Sequence, residues 1–216
     1  MYSVSELYDL SHTLAGEFLG QFVYPWEALG GIEELIRSLG KALPADYRQI
    51  KLGVWVHQAA TLAPTAYLGE NIIVGPGTEI RHGAFVRGGA LIGADCVVGN
   101  STEVKNAILF DGVQVPHYNY VGDSILGYKA HLGAGAITSN VKSDKSPVVV
   151  GAVQTGRKKV GAMVGDYAEI GCNSVLNPGA VIGRHSAVYP LSCVRGLVPA
   201  NSIYKTGGVI VPKEEA

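Results

Sequence analysis

From Val56 onward the chain keeps a beat of six. Val56, Leu62, Leu68, Val74, Ile80, Val86, Ile92, Val98 and Val104 are all aliphatic. Four places beyond each stands a residue that is mostly small: Ala60, Ala66, Ile72, Thr78, Ala84, Ala90, Cys96, Thr102 and Ile108. The beat returns at Val164 and runs through Ile170, Leu176, Ile182, Val188 and Val194, with Ala168, Ser174, Ala180 and Ser186 in the small slot. A helix needs a period of 3.6 and a half-buried strand a period of 2. Six suits a short flat strand followed by a corner, and Gly69, Gly75, Gly93, Gly99, Gly165, Gly171 and Gly183 fall where corners are needed. Three such units close a triangular coil of about 18 residues, and successive coils stack about 4.8 Å apart in parallel register. An all-β parallel β-helix of hexapeptide repeats is therefore expected over residues 56–199.

The composition fits such a coil. The 29 Gly against 4 Phe, with 16% charged residues, describe tight turns around a core of small and β-branched side chains. A formal net charge of −1 favours no nucleic-acid partner. No run approaches ~18 apolar residues. The opening "MYSVSELYDLSHTLAGEF" carries acidic residues where a secretion signal would be basic, so a cytoplasmic protein without a membrane partner is expected. Cys96, Cys172 and Cys193 are odd in number and lack C-x-x-C spacing, which predicts reduced structural thiols.

Residues 1–55 do not share the beat. "SVSELYDLSHTLAGEFLG" and "PWEALGGIEELIRSLGKAL" space their apolar residues helically, predicting two short helices with Ser3 or Ser5 as N-cap and Pro25 in a first turn. The chain thus reads as an N-terminal helical segment (1–55), a repeat domain (56–199) and a C-terminal tail (200–216). A loop over 139–162, "SNVKSDKSPVVVGAVQTGRKKVGA", is too long for a corner and reads as an insertion.

Arg87, Lys105 and His117 each take the second place of a hexapeptide and should point outward. Arg87 and Lys105 are 18 apart, which stacks two like charges on neighbouring coils, so something anionic, or an acid such as Glu103, should answer them. After His117 the beat slips, with Tyr120, Leu126, Leu132 and Thr138 forming a new frame. A histidine at a register break on a rigid scaffold is a candidate for chemistry. His12, His57, His82 and His185 read instead as structural.

The run "VGNSTEVKNA…VPHYNYVGDSILGYKAHLGAGAITSN" resembles the acetyltransferase domain of the bifunctional N-acetylglucosamine-1-phosphate uridylyltransferase/glucosamine-1-phosphate N-acetyltransferase family. The shared pattern is VGN-x-x-E-x-K, H-x-x-Y-x-GD and GAG-x-ITxN over residues 85–140, with weaker similarity over 56–200. "GRKKVGAMVGDYAEIG" and the "YP" at 189–190 look closer to the archaeal-type sugar-phosphate branch. The resemblance implies a left-handed coil and His117 as catalytic base. It implies that Arg87, Lys105, Tyr120, Asn140 and Lys159 hold a sugar phosphate, and that Ala134 lies along the arm of acetyl-CoA. His131 stands where the family often has Asn, and Cys172 where its coenzyme site usually has Ser. The Gly-rich, Arg-containing nucleotide loop of the family's other domain is missing from this sequence, so uridylyl transfer is expected to be absent.

The chemistry accords with that implication. An amino sugar is mostly ammonium in neutral solution, and only its free amine attacks a thioester. Imidazole is the side chain that titrates around neutrality, and one positioned base contributes about 10²–10⁴-fold. Arg and Lys clamp a phosphate. The expected activity is acetyl-CoA-dependent N-acetylation of an amino-sugar phosphate by a homotrimer, with coenzyme sites between neighbouring prisms. The alternative is a non-catalytic scaffold or regulatory partner of a separate sugar-phosphate nucleotidyltransferase. A zinc hydratase on the same repeat needs an H-x4-H pair, but Gly122 stands five places after His117, so no metal is expected.

Overall fold

The computed structural model describes residues 2–214. Its parallel strands stack into a β-solenoid of about eight turns, a left-handed β-helix. Each turn contributes one short strand to each of three faces. Face one carries inward Val56, Val74, Ile92, Leu109, Leu126, Val164, Ile182 and Val198; face two carries Leu62, Ile80, Val98, Val115, Leu132, Ile170 and Val188; face three carries Leu68, Val86, Val104, Val121, Thr138, Leu176 and Val194. All but Leu62 are buried. The hexad beat is thus the inward column of each face. Thr138 is the polar member, and its hydroxyl accepts from the Gly122 amide (3.0 Å) and bonds the Ser124 hydroxyl (3.0 Å).

The beat slips differently from the frame read in the sequence. One residue is lost between Val104 and Leu109, and a second between Val121 and Leu126, so coils of 18 residues become coils of 17. Both losses fall at the same corner, on stacked strands Glu103–Leu109 and Tyr120–Leu126. The two losses add, and give the same downstream frame as one break of two. The strand Gln114–His117 is regularly paired, with His117 opposite Asn100, so His117 is not at the break. Val121 rather than Tyr120 turns inward, and Tyr120 is half-exposed. The first loss leaves a bulge at Arg87, with Gly88 rather than Arg87 opposite Lys105. The two cations are therefore offset instead of stacked.

Corners repeat in columns of left-handed backbone. Asn71, Gly89, Asn106 and Asp123 (φ 53°, 60°, 45° and 48°) share one corner; Ser101, Tyr118, Gly135 and Asn173 (φ 53°, 52°, 70° and 54°) share another. Asn and Asp tolerate this region better than other side-chain-bearing residues, because their short polar groups bond locally. Gly99 is required by close approach, since a Cβ there would overlap the Pro116 carbonyl on the next coil.

The N-terminal segment differs in detail from two helices. It forms α1 (Val4–Leu7), α2 (Gly16–Leu19), α3 (Ile32–Ala42) and two 3₁₀ turns, Leu10–His12 and Pro25–Gly30. Ser3 caps α1 reciprocally with Glu6, and Pro25 opens its turn. Tyr47–Lys51 then pairs antiparallel with Val54–His57, straddling residue 55. An antiparallel strand also ends the other pole, where Ile210–Pro212 pairs with Ser202–Tyr204. Such hairpins keep the open edges of a parallel stack from pairing with further chains.

The segment has a target. The outward column of face one is Trp55, Ile73, Leu91, Ile108, Ile125, Met163, Val181 and Leu197, and Ile73 through Val181 are buried. Leu7, Tyr8, Leu19, Trp26, Ile32 and Ile36 are buried with them in one continuous core. Asp166 fastens the cover: its side chain is fully buried and accepts from the Asp9 amide (2.7 Å), the Tyr128 amide (2.8 Å) and Arg184 (2.8 Å).

Candidate active site

Face three and its two bounding corners hold most of the residues singled out above. His117 ends its strand at one corner, and Tyr120 opens the next strand three residues on. The Gly135 amide donates to the His117 carbonyl (2.9 Å), and the Asn173 amide to the Ala134 carbonyl (2.8 Å). Asn100, His117, Ala134 and Cys172 therefore climb one edge, coil above coil. Among the described residues His117 alone of the histidines has an imidazole with no hydrogen bond, ion pair or ring stack. His12 stacks on Tyr128 (3.6 Å) and His185 on Tyr167 (4.7 Å); His57 bonds Asp46 (2.9 Å), His82 bonds Thr65 (2.6 Å) and His131 bonds Glu169 (2.8 Å).

The other corner carries the cations. Arg87 Nη1 lies 3.4 Å from Glu103 Oε1, and its side chain is 59% exposed. Lys105 Nζ lies 3.5 Å from Asp123 Oδ2, with side chains only 17% and 7% exposed. An acid thus answers each cation: Glu103, as the spacing suggested, and Asp123, which it did not. Asn106 Nδ2 donates to Asp123 Oδ1 (2.8 Å), and Asn140 Nδ2 donates to Asp123 Oδ2. Asn140 also donates to the Tyr120 hydroxyl (3.2 Å). Partial burial, then the charges of Glu103 and Asp123, push the Tyr120 phenol up, so it stays protonated and able to donate.

The insertion closes over this corner. The Val160 amide donates to the Asn140 carbonyl (3.0 Å) and the Gly161 amide to the Asp123 carbonyl (2.7 Å). Lys159 is thereby held next to the corner through its backbone, with its side chain exposed. Two other cations of the insertion are engaged: Lys142 pairs with Asp144 (3.5 Å), and Arg157 donates to the Glu27 carbonyl (3.2 Å). The structure brings Lys105, Tyr120 and Asn140 into one network, with Arg87 beside it. No hydrogen bond or ion pair among the described residues joins His117 to that network.

Asp123 and Asn106 were missed in the sequence. The available signal was an Asx residue recurring at coil spacing on a left-handed corner. Cys96 is buried and its thiol is pushed up to about 12, as a structural thiol should be, but Cys172 and Cys193 are exposed. An open cavity of about 710 Å³ between α3 and the 47–57 hairpin, lined by Arg37, Lys41, Trp55 and Glu70, contains none of these site residues.

The coil and this corner define the class, a hexapeptide-repeat β-helix with a polar site on one uncovered face. A protein-family profile described as the GMPPB C-terminal domain matches residues 70–160. The bifunctional sugar-1-phosphate nucleotidylyltransferase/acetyltransferase of Sulfurisphaera tokodaii is 28% identical over 181 residues, 82% of this chain and 42% of that one. The bifunctional protein GlmU of Methanococcus maripaludis is 33% identical over 120 residues, 53% of this chain and 29% of that one. The chain is a homologue of these bifunctional sugar-1-phosphate nucleotidylyltransferase/acetyltransferases. It spans less than half the length of either relative. Among solved structures, the acetyltransferase domain of PglB from Neisseria gonorrhoeae, in complex with acetyl coenzyme A, superposes with a TM-score of 0.37 at 15% identity, covering 84% of this chain and 67% of that one. That likeness is too distant to bear on chemistry.

Proposed function

We propose that this chain is an acetyl-CoA-dependent N-acetyltransferase acting on an amino-sugar phosphate in nucleotide-sugar biosynthesis. The observation that carries the reading is the unengaged imidazole of His117, set between the Gly133–Gly135 corner and a face edged by Lys105, Arg87, Tyr120 and Asn140. The names of the relatives supply the sugar-1-phosphate and the acetyl group.

In this reading the substrate amine attacks the thioester carbonyl, and His117 takes the proton the nitrogen sheds. The C–S bond then breaks, and the proton leaves with the coenzyme as its thiol. Lys105 and Arg87 hold the phosphate, with Lys159 reaching in from the insertion, which fixes the amine against the carbonyl. Asn140 positions the sugar, Tyr120 donates its O–H to substrate or oxyanion, and Ala134 borders the pantetheine arm.

A homotrimer belongs to the same proposal. Tyr67 (58% exposed) and Phe85 lie in ring contact on face three (5.5 Å), and Tyr118 and Leu191 stand exposed at its corner, an apolar surface that a neighbouring prism would cover. A neighbour there would also wall the groove beside His117. No helix among the described residues is long and apolar enough to cross a membrane, and we place the protein in the cytoplasm. The division into segment 1–55, repeat domain 56–199 and tail 200–216 is kept as part of this reading.

The test is calorimetric titration with acetyl-CoA, followed by coenzyme-thiol release with a panel of amino-sugar 1-phosphates. Saturable coenzyme binding and release with at least one acceptor are expected. No coenzyme binding would leave the scaffold reading as the better account.

A further inference from the structure

We infer that Asp123 is a positioning residue that sets the hydrogen-bond polarity of the site, forcing Tyr120 to present its O–H and Asn140 its carbonyl oxygen to the substrate. The inference deepens the function proposed above and rests on it for its kinetic arm only.

The argument starts from what each group can do. A carboxylate accepts and cannot donate, whereas a primary amide does both and can be turned end for end. Asp123 is 7% exposed and lies 3.5 Å from the Lys105 ammonium, and a carboxylate so paired offers its oxygens only to donors. Asn140 therefore turns its nitrogen toward Asp123, and Asn106 does the same on the other oxygen. The amide of Asn140 has a second N–H, and that one reaches the Tyr120 oxygen (3.2 Å). A phenol whose oxygen already accepts is left with its own proton to give. The chain of donors then runs one way, from Tyr120 outward and from Asn140 inward, while Asn140 Oδ1 has no donor from this network. Lys105 stays on the same carboxylate, which holds the ammonium at the rim while leaving protons free for an anion.

The backbone shows that this carboxylate is built in. Asp123 occupies the left-handed corner (φ 48°) stacked above Asn106 (φ 45°), and its carbonyl accepts the Gly161 amide (2.7 Å) as the insertion returns. Residues 105, 106, 140 and 161, from the two neighbouring coils and from the insertion, converge on one side chain and its peptide. The hydrogen-bond partners of Asp123 are three polar side chains and one backbone amide at the corner, so the arrangement orders the face.

Asp123→Asn tests the polarity, because it keeps the shape and lets the facing amide turn. Turnover should fall about tenfold with the KM for acetyl-CoA unchanged. If the residue acts through Tyr120, the double variant Asp123→Asn/Tyr120→Phe should be no slower than the slower single one, since groups in one network are not additive. Losses that multiply would overturn the inference. A second arm needs no activity, and reads the wild type. By amide exchange in NMR, both side-chain protons of Asn140, assigned by their loss in Asn140→Ser, should exchange at least about tenfold slower than those of exposed Asn201 in the wild type. Exchange as fast as that of Asn201 would overturn the inference even if acetyl transfer is found. A wild type that acetylates no acceptor but protects both protons would support the polarity and refute the function alone.

Discussion

Two faces of the same prism have opposite fates. On face one both sides of the strands are apolar, and the outward column from Ile73 to Val181 is buried beneath residues 2–46. On face three the outward column is Tyr67, Phe85, Glu103, Tyr120, Ile137, Val175 and Cys193, which the chain leaves uncovered. Each face has its buried aspartate. Asp166 takes two backbone amides and Arg184 and is spent on holding the cover. Asp123 takes side-chain donors that themselves border solvent. A carboxylate that bonds backbone locks the fold, whereas one that bonds side chains arranges a surface.

The largest effect should come from unlocking the cover. Asp166→Ala leaves two backbone amides and the one-third exposed Arg184 without their acceptor, and each buried donor so orphaned costs about 1–3 kcal/mol. Urea unfolding should show the loss, with early proteolysis inside residues 1–46. An unchanged midpoint would mean that apolar contact alone holds face one.

On the open face the stakes are kinetic rather than structural. His117→Ala should lower turnover by at least about 10² while acetyl-CoA affinity and thermal midpoint stay put, because an exposed ring with no partner carries little packing. More than half the wild-type rate remaining would break the contrast between the faces and favour the scaffold.

The two cations should then separate. Lys105→Ala should weaken sugar-phosphate binding by about 1.5–3 kcal/mol, the scale of a charge-assisted bond at a partly buried site, whereas Arg87→Ala, exposed and already paired, should cost about 1 kcal/mol or less. Equal losses by calorimetry would show that the Asp123 network gives Lys105 no advantage.

The smallest expected effect is in pH. Burial pushes the Asp166 carboxyl up, with the Asp9 and Tyr128 amides and Arg184 pulling partly the other way. The native state then takes up this proton before the unfolded chain does, so stability from this group is present at low pH and declines as pH rises through its titration. The advantage of wild type over Asp166→Asn should widen on acidification and be constant above that window. A gap that narrows instead would mean that Arg184 dominates.

Much of this architecture was legible in the chain. The step of six named the inward columns of all three faces except Leu109, Val115, Val121 and Val198, and Ser3, Pro25 and Gly99 acted as their types and places suggested. Less legible was the site. Lys105, Tyr120 and Asn140 stood in a recognisable pattern, and Asp123, which joins them, closed the same H-x-x-Y-x-GD pattern without any sign in it of that role. The slips were misplaced for a related reason. Losing one residue at Val104–Leu109 and one at Val121–Leu126 reads, downstream, the same as losing two at His117.

What the sequence by itself determined is therefore whatever repeats with the coil. In a stack each turn touches only its neighbours, so a contact is a fixed offset of 16 to 18 residues and survives as periodicity. Only the tertiary structure decided the contacts that break that offset. Asp9 meets Asp166 across 157 residues, and the insertion stretches one coil step to 38, from Leu126 to Val164, before returning Gly161 to Asp123. No period records such closures. They depend on which apolar face is left bare and which corner has a carboxylate to close on, and both of those are settled only once the prism is wound.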